Sequence, residues 1–273
     1  MLIARVGLSI GIVAAGAAGT ARAQIGPISV VQASTAVDST DFKQVEVDCP
    51  PGTIAFAGGA SITDHGFVVA GDIVVHQSHP LGDPPTSWLA AAQERSTYNA
   101  NWELTSWALC ATVEGYELVS VSTAFDSSSP KEVSAFCPAG MVPIGFGGAI
   151  FFFSPSLVLT ALTEIGGGGR ARARESPATS ASWILNVKVG CAPGLDVESY
   201  RGDSWNGLED GEDLAIYCPP DRLALGGGVE LTNGRPSESR PLFPIGWYAR
   251  GSRLIGDAQN PWELESVLQC YRP

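Results

Sequence analysis

The chain has 273 residues and carries 28 Asp and Glu against 16 Lys and Arg, which gives a formal net charge of −12 at pH 7. So acidic a protein repels phosphate backbones, and we therefore expect no nucleic-acid partner. Hydrophobic residues make up 45% of the chain, with 32 Gly and 19 Pro, which indicates a folded protein rich in turns and argues against a disordered one.

The first predicted element is a signal peptide at residues 1–23. Arg5 supplies a positive start, residues 8–18 form a short apolar run, and residues 21–23 form a small-x-small cleavage site. We expect the mature chain to begin at Gln24 and to be secreted or periplasmic. No later segment approaches the roughly 20 apolar residues that a membrane helix needs, so we expect no membrane insertion after cleavage.

Three similar strings recur along the rest of the chain. They are WELTSWALC from Trp102, WILNVKVGC from Trp183 and WELESVLQC from Trp262. In each string a Leu follows the Trp by two residues and a Cys follows it by eight. Since side chains alternate between the two faces of a strand, this even spacing predicts a β-strand with Trp, Leu and Cys on one buried face.

A second cysteine precedes each of these strings in a matching context, which is Cys-Pro, a turn, a short apolar stretch and a cluster of glycines. The three copies begin at Cys49, Cys137 and Cys218. Several independent features keep the same order and spacing, so we divide the chain into three repeats of about 80 residues. The predicted β repeats cover residues 24–113, 114–194 and 195–273.

The six cysteines predict a set of disulfide bonds. In an exported protein of this size they indicate disulfides rather than metal ligands, and no two of them have the close spacing of a zinc pair. Cysteine positions alone allow many pairings, and the repeat symmetry selects the one in which each repeat closes on itself. The predicted bonds are Cys49–Cys110, Cys137–Cys191 and Cys218–Cys270.

The predicted fold class is all-β. Val, Ile, Leu, Thr and aromatic residues occur in short runs separated by Pro and Gly, and helical periodicity is absent after the signal peptide. In the first repeat the predicted strands are Ser29–Thr35, Lys43–Cys49, Ile54–Ile62, Gly66–Gln77, Trp88–Glu94 and Trp102–Ala111.

Two arrangements of the three tandem disulfide-stapled repeats remain open, because a single repeat buries little surface by itself. The repeats pack around a pseudo-threefold axis, as in a β-prism, or they form three small β-sandwich beads. The glycine clusters favour the prism, since glycine permits close backbone approach at an axis, although a bulge within each repeat explains them equally well.

The run RARAR at residues 170–174 follows four glycines. In an extended segment its three arginines lie on one side, an arrangement that suits contact with phosphate or an acidic glycan. We expect instead a solvated edge whose charges keep it from pairing with other strands.

The segment from Asp126 to Ala149, followed by the closing Trp/Cys strand, resembles uncharacterised exported bacterial repeat proteins. Those proteins also combine a Cys-Pro-x-Gly turn with a Gly-Gly-Gly cluster and a closing strand that carries Trp and Cys. The resemblance covers each repeat and implies no catalytic residue and no ligand. The second repeat departs from it by lacking a middle Trp, and the third by having Asp221 in place of the turn glycine.

No catalytic set is recognisable, so we predict a protein that is not an enzyme and uses no cofactor or metal. His65, His76 and His79 lie near Asp64 and Asp72, but residues three apart on a strand face opposite sides, and we interpret them as surface histidines. Paired carboxylates serve glycoside hydrolysis, yet nothing in the sequence brings two of them into one cleft. The candidates are Glu94, Glu103, Glu164, Glu263 and Glu265.

The aromatic residues divide into two groups. The three tryptophans that open the recurring strings share a face with the disulfide cysteines, and we predict that they lie in the core. A second group is less constrained and suits the flat apolar face of a sugar ring, namely Trp88, Trp107, Trp205, Trp247 and Tyr248. Our candidate ligand-binding residues among them are Trp88, Trp107, Trp247 and Tyr248. Trp88 and Trp247 hold equivalent repeat positions, so packing between repeats is an equally good interpretation of those two.

The hypothesis that we favour is an exported, non-enzymatic binding or adhesive protein whose ligand is a carbohydrate or another envelope polymer. It rests on disulfide-stapled β repeats, spare aromatic residues, an acidic surface and the lack of a catalytic set. The first alternative is a structural component of a surface or matrix. The second alternative is a secreted hydrolase that uses paired carboxylates.

Overall fold

A computed structural model describes residues 24–64, 67–68, 72–152, 154–206, 211–253 and 261–273. The predicted signal peptide and His65 lie outside the described residues. The described chain is all-β, as predicted, with strands that pair antiparallel throughout. Among these residues there is no helix of the length and apolarity needed to cross a bilayer.

Each repeat supplies six long strands, and the first also has a two-residue strand. The first repeat contains β1 (Ser29–Ser34), β2 (Phe42–Asp48), β3 (Ile54–Asp64), β4 (Phe67–Val68), β5 (Ile73–Gly82), β6 (Pro85–Glu94) and β7 (Glu103–Ala111). The second contains β8 (Glu117–Ser122), β9 (Lys131–Phe136), β10 (Met141–Phe151), β11 (Leu157–Ile165), β12 (Gly168–Glu175) and β13 (Ile184–Pro193). The third contains β14 (Val197–Asn206), β15 (Gly211–Tyr217), β16 (Leu223–Thr232), β17 (Gly234–Leu242), β18 (Gly246–Arg253) and β19 (Trp262–Tyr271).

The recurring Trp/Leu/Cys strings form the strands β7, β13 and β19. Trp102, Leu104 and Cys110 are fully buried, and their counterparts in the other two repeats are buried as well. The period-two spacing therefore identified the inward face of each closing strand correctly.

The three disulfide bonds join the predicted partners. The Cα–Cα distances are 5.7 Å for Cys49–Cys110, 5.6 Å for Cys137–Cys191 and 5.7 Å for Cys218–Cys270, all within the ordinary range for a disulfide. Each bond ties the end of the second strand of a repeat to its closing strand. Three disulfides indicate an oxidising, extracytoplasmic environment.

The strands form three sheets, and each sheet is shared between two repeats. The strand orders are β1-β7-β3-β17-β18-β15 with β4 beside β3, β2-β6-β5-β10-β13-β8, and β14-β19-β16-β11-β12-β9. Every repeat thus gives three strands to one sheet and three to the next, which closes a pseudo-threefold ring. The prism-like arrangement is confirmed and the alternative of three separate beads is wrong, because no repeat forms a complete sheet alone.

We call the strand pairs that join two repeats seams. The 1–3 seam pairs β3 with β17, the 1–2 seam pairs β5 with β10, and the 2–3 seam pairs β11 with β16. A glycine of the predicted clusters stands in each seam, namely Gly59, Gly147 and Gly228. A methyl group at Gly59 would collide with the carbonyl oxygen of Ser239 across the 1–3 seam, and the other two glycines are equally confined. Close backbone approach therefore requires glycine here.

Both interpretations of the glycine clusters, close backbone approach and a bulge within each repeat, agree with the structure. Besides the seam contacts, the register of β3, β10 and β16 against the closing strands shifts a few residues before each seam glycine. Such a shift is the mark of a β-bulge, which bends the strand toward the axis.

A tryptophan fills the core beneath the glycine cluster in the first and third repeats. Trp88 lies against Gly58 and Trp247 lies against Gly227, where any side chain would overlap the indole ring. In the second repeat the two roles are exchanged, since a Phe stands at the glycine position and Gly169 stands at the tryptophan position. Phe146 fills the same space from the opposite strand, which explains why this repeat lacks a middle Trp.

Candidate functional site

The outer face of the first sheet carries an aromatic and cationic row that crosses the 1–3 seam. Trp107 on β7 lies opposite Gly59 on β3, and Arg240 on β17 lies opposite Tyr248 on β18. Since Ala60 is paired with Ser239 in an antiparallel register, Gly59 lies beside Arg240. Gly59 has no side chain, so the side chains on either side meet above it. We call Trp107, Arg240 and Tyr248 the aromatic strip.

Arg240 occupies the centre of the aromatic strip. Its Cζ lies 5.5 Å from the centroid of the Trp107 ring and 4.8 Å from that of the Tyr248 ring, which places one guanidinium between two aromatic faces. Arg240 Nε donates to Glu238 Oε2 at 3.1 Å, and Trp107 Nε1 donates to Ser61 Oγ at 3.2 Å. These bonds hold the guanidinium and the indole in fixed orientations.

The two aromatic rings are half-buried, so part of each faces solvent. Burial is the first cause that raises the pKa of Tyr248, and Glu238 and Asp213 add to it while Arg250 and Arg240 oppose it. The phenol therefore stays protonated across the physiological range and can donate a hydrogen bond. Beyond it in the same row lies the small, exposed Ala215, which leaves the far side of the Tyr248 ring uncovered.

A polar row runs parallel to the aromatic strip, two residues away along each strand. Its members follow the sheet from β1 to β15 and are Ser34, Thr105, Ser61, Glu238, Arg250 and Asp213. Ser34 and Thr105 share a hydrogen bond of 2.7 Å between their hydroxyl oxygens. Arg250 is half-buried and Asp213 is exposed, so this row offers donors and acceptors next to the rings.

Two of the four predicted ligand-binding residues do not reach the surface. Trp88 and Trp247 are 0% exposed. The indole of Trp88 donates to Ser78 Oγ at 3.1 Å, and that of Trp247 donates to Ser239 Oγ at 3.0 Å. Their prediction as ligand-binding residues is corrected, because both are core residues. Trp88 packs with residues of its own repeat, whereas Trp247 belongs to a core cluster that also contains Ala57 and Ile144 of the other repeats. Packing between repeats therefore describes Trp247 and not Trp88.

Arg240 was missed by the sequence analysis. The string SRPL that contains it aligns with SHPL in the first repeat, so the sequence relates it to His79 and to no aromatic residue. Its neighbours in the strip come from the first repeat on one side and from β18 on the other. Only the pairing of β3 with β17 brings Trp107 to Arg240.

The other two seams have different side chains at the strip positions. Lys188 and His79 flank the seam glycine of the second sheet, and Val267 and Thr163 flank that of the third. Among the described residues the aromatic strip therefore occurs at one seam of the three.

The arginine run lies in β12, which pairs with β11 on one side and with β9 on the other. Its arginines point outward while Ala171 and Ala173 are buried, as the alternation predicted. The expectation of an unpaired edge is wrong, because carboxylates neutralise the charges that would keep strands away. Glu230 binds both Arg170 and Arg172 at 2.5 Å across the third sheet.

The described histidines are buried, and the nearby carboxylate of Asp72 forms ion pairs. His76 and His79 are buried, and this burial lowers the pKa of each to about 4, so reading them as surface histidines is wrong. Asp72 is bound by Arg95 at 2.8 Å and by Arg235 at 3.3 Å. In the part of the chain that the structure describes, no group of three or more His, Cys, Asp or Glu could hold a metal ion.

Among the five candidate carboxylates of a hydrolase, Glu94, Glu164 and Glu265 are engaged in other contacts. Glu94 accepts hydrogen bonds from the Trp102 indole at 3.0 Å and from the Tyr98 amide at 2.8 Å. Arg201 forms ion pairs with both Glu164 and Glu265, so a guanidinium binds these two acids.

A small cavity lies on the pseudo-threefold axis, where Phe146, Leu162 and Val229 meet Glu238 and Ser239. Its volume of about 30 Å³ matches the space of about one water molecule, which is too little for a sugar ring.

Fold and site together define a class of protein, a disulfide-bonded all-β prism of three interlocked repeats with an aromatic strip on one outer face. No model of a known protein family matches the chain. A search of curated proteins also found no match.

Proposed function

We propose that this protein is a non-enzymatic carbohydrate-binding protein, secreted or periplasmic, and that the aromatic strip is its binding site. The observation that carries the proposal is the pair of half-exposed rings, Trp107 and Tyr248, held in place by Arg240 on a rigid sheet. Sites on strands keep their geometry better than sites on loops, which favours specific recognition of a ligand over nonspecific adsorption.

The chemistry of the strip suits a glycan chain that lies across the strands. Arg240 lies so near to both rings that their centroids are at most about 10 Å apart, so we expect one glycan chain to contact both rings. The apolar faces of the sugars stack on the rings. Their hydroxyl groups bond to the neighbouring polar row, where Arg250 donates and Asp213 accepts.

The acidic character of the chain limits the class of glycan. With a net charge of −12 the protein repels highly anionic polymers, and Arg240 is already hydrogen-bonded to Glu238. A neutral or weakly charged polysaccharide is therefore the ligand that we propose.

The experiment is a binding screen of disulfide-intact protein against a panel of neutral and acidic polysaccharides, followed by titration of the best ligand. Trp107→Ala and Tyr248→Ala should each weaken binding by about tenfold, the loss expected for one stacked ring of about 1.4 kcal/mol. Phe125→Ala is the matched control, because Phe125 is 58% exposed and does not belong to the strip. Unchanged affinity in both strip variants, or no binding by the folded protein to any glycan, would reject the proposal.

A further inference from the structure

The 1–2 seam holds an amine in unusual surroundings. Lys188 projects from β13 on the outer face of the second sheet and meets His79 of β5 across Gly147. Its Nζ donates a hydrogen bond to the carbonyl oxygen of Pro80 at 2.9 Å and lies 3.2 Å from His79 Nδ1. The two residues thus take the places that Trp107 and Arg240 have at the 1–3 seam.

Lys188 differs from the other two lysines of the chain. Lys43 and Lys131 each form an ion pair with an aspartate, at 2.5 and 2.8 Å, and each lies over a tryptophan ring. Both partners favour the charged ammonium. Lys188 has no carboxylate within ion-pair distance in the described part of the chain, and its burial lowers its pKa.

The hydrogen bonds of His79 favour an uncharged amine independently of burial. His79 Nε2 is buried without a hydrogen-bond partner among the described residues, whereas Nδ1 lies 2.9 Å from the carbonyl oxygen of Pro80. A proton on Nε2 would be a buried donor with no acceptor, whereas a proton on Nδ1 has the Pro80 carbonyl as acceptor. That carbonyl also accepts from Lys188 Nζ, and it does so equally from an amine or an ammonium. An N–H bond that also faces Lys188 Nζ repels an ammonium but accommodates the lone pair of a neutral amine.

We propose that Lys188 is a carbonyl-reactive amine that binds small aldehydes as an imine. The nitrogen lone pair attacks the carbonyl carbon, and one amine hydrogen is transferred as a proton to the carbonyl oxygen, which gives a carbinolamine. A proton from solvent then lets the hydroxyl group leave as water, and the remaining hydrogen on nitrogen returns to solvent as a proton. Amine and aldehyde thus give imine and water with no oxidant or reductant. The open-chain form of a small sugar belongs to this class of ligand.

The half-buried position of Lys188 sets the size of the ligand. Leu89 lies beyond His79 in the same row of the sheet, and Ser120 lies on the other side of Lys188. His79 and Leu89 are buried and Ser120 is exposed, so solvent reaches the amine from the Ser120 side, where we expect a compact aldehyde to be favoured over a bulky one. The inference does not depend on the aromatic strip, which is on another sheet.

The test is reductive methylation of the disulfide-intact protein with limiting formaldehyde and cyanoborohydride at pH 7. Mass spectrometry of peptides gives the rate at each lysine, and Nα-acetyllysine amide in the same tube gives the rate of a free side chain. Lys188 should react several-fold faster than the free amine, because each tenfold rise in the uncharged fraction raises the rate tenfold. A difference in exposure alone cannot make Lys188 react faster than the free amine, because burial only slows the reaction of a side chain with a dissolved reagent. A rate at Lys188 equal to or below that of the free amine overturns the proposal.

A matched variant changes the charge of the partner while leaving the position of Lys188 alone. His79→Asp supplies the carboxylate that Lys43 and Lys131 already have, so the rate at Lys188 should fall about tenfold. Asp38→Asn makes the opposite change next to Lys43 and should raise the rate there. If neither rate moves while circular dichroism shows both variants folded, charge does not control the reactivity and the proposal fails.

Discussion

The exchange of Phe and Gly in the second repeat allows a direct test of how the core is filled. Phe146 is 4% exposed and stands where the other repeats have glycine, while Gly169 stands where they have tryptophan. A Cβ added at Gly169 would lie 2.9 Å from Phe146 Cβ and 2.9 Å from Val189 Cγ2, both of them side-chain atoms. Phe146 and Val189 therefore block a tryptophan here, and the backbone does not.

The perturbation is a double-mutant cycle that converts the second repeat to the pattern of the first and third. Phe146→Gly alone removes a buried ring and should cost about 4–6 kcal/mol, from the usual cost of Phe→Ala plus that of glycine within a strand. Gly169→Trp alone forces a ring against Phe146 and should cost about 3 kcal/mol or more. The double variant restores the arrangement of Trp88 over Gly58, so its cost should be about 2 kcal/mol.

The expected coupling is thus about 5–7 kcal/mol in favour of the double variant, well above what distant sites show. The assay is urea unfolding with the disulfides intact, followed by tryptophan fluorescence and by circular dichroism. Because the repeats share every sheet, both signals should report one transition. Additive costs, with the double variant as unstable as the two single variants together, would refute the idea that one space is filled from either strand.

Two further predictions concern ionisation and the buried lysines. The pKa of His76 and of His79 falls from 6.5 to about 4 on folding, so the unfolded chain binds more protons between these values and stability should drop as pH falls from about 6.5 to 4. Asp38, whose pKa the Lys43 hydrogen bond lowers to about 2, adds a second loss as pH falls from about 4 to 2. Thermal unfolding measured as a function of pH checks both losses of stability. His76→Gln should reduce the loss between about pH 6.5 and 4, and Asp38→Asn should reduce the loss between about pH 4 and 2. Variants whose stability changes with pH as that of the unchanged protein does would contradict the assignment. Lys131→Met should destabilise the protein by about 2–4 kcal/mol, since Lys131 Nζ donates at 2.8 Å to the carbonyl oxygens of Ala124 and Trp183, which would lose their partner. Urea unfolding measures it, with exposed Arg272→Met as the control, and equal stability of the two variants would contradict the role of Lys131.

The strand boundaries show where local patterns suffice and where they do not. Five of the six predicted strands of the first repeat agree with the structure to within three residues at each end. The exception is the segment predicted as Gly66–Gln77, of which Gly66 and residues 69–71 lie outside the described residues. The described part divides into β4 and β5, and β5 begins at Ile73 and continues to Gly82 through Pro80. Proline usually ends a strand because it lacks an N–H group. Here β5 is paired with β10 at Gln77 and Ser78, so Pro80 lies past that pairing.

By itself the sequence determined the features that depend on order and spacing along one repeat. The all-β class, the three repeats, the disulfide partners and the inward face of each closing strand all follow from periods and symmetry that a single strand or a single repeat contains. The seam glycines were visible as clusters, although their use was open between a bulge and a close approach.

Tertiary structure alone decided which strands of different repeats become neighbours. The pairing of β3 with β17 brings Arg240 between Trp107 and Tyr248 to form the aromatic strip. The physical reason is that alternation assigns a side chain to one of two faces but does not name the partner across the hydrogen-bonded edge. That partner depends on how the three repeats pack against one another, and the residue spacing within one repeat does not predict it.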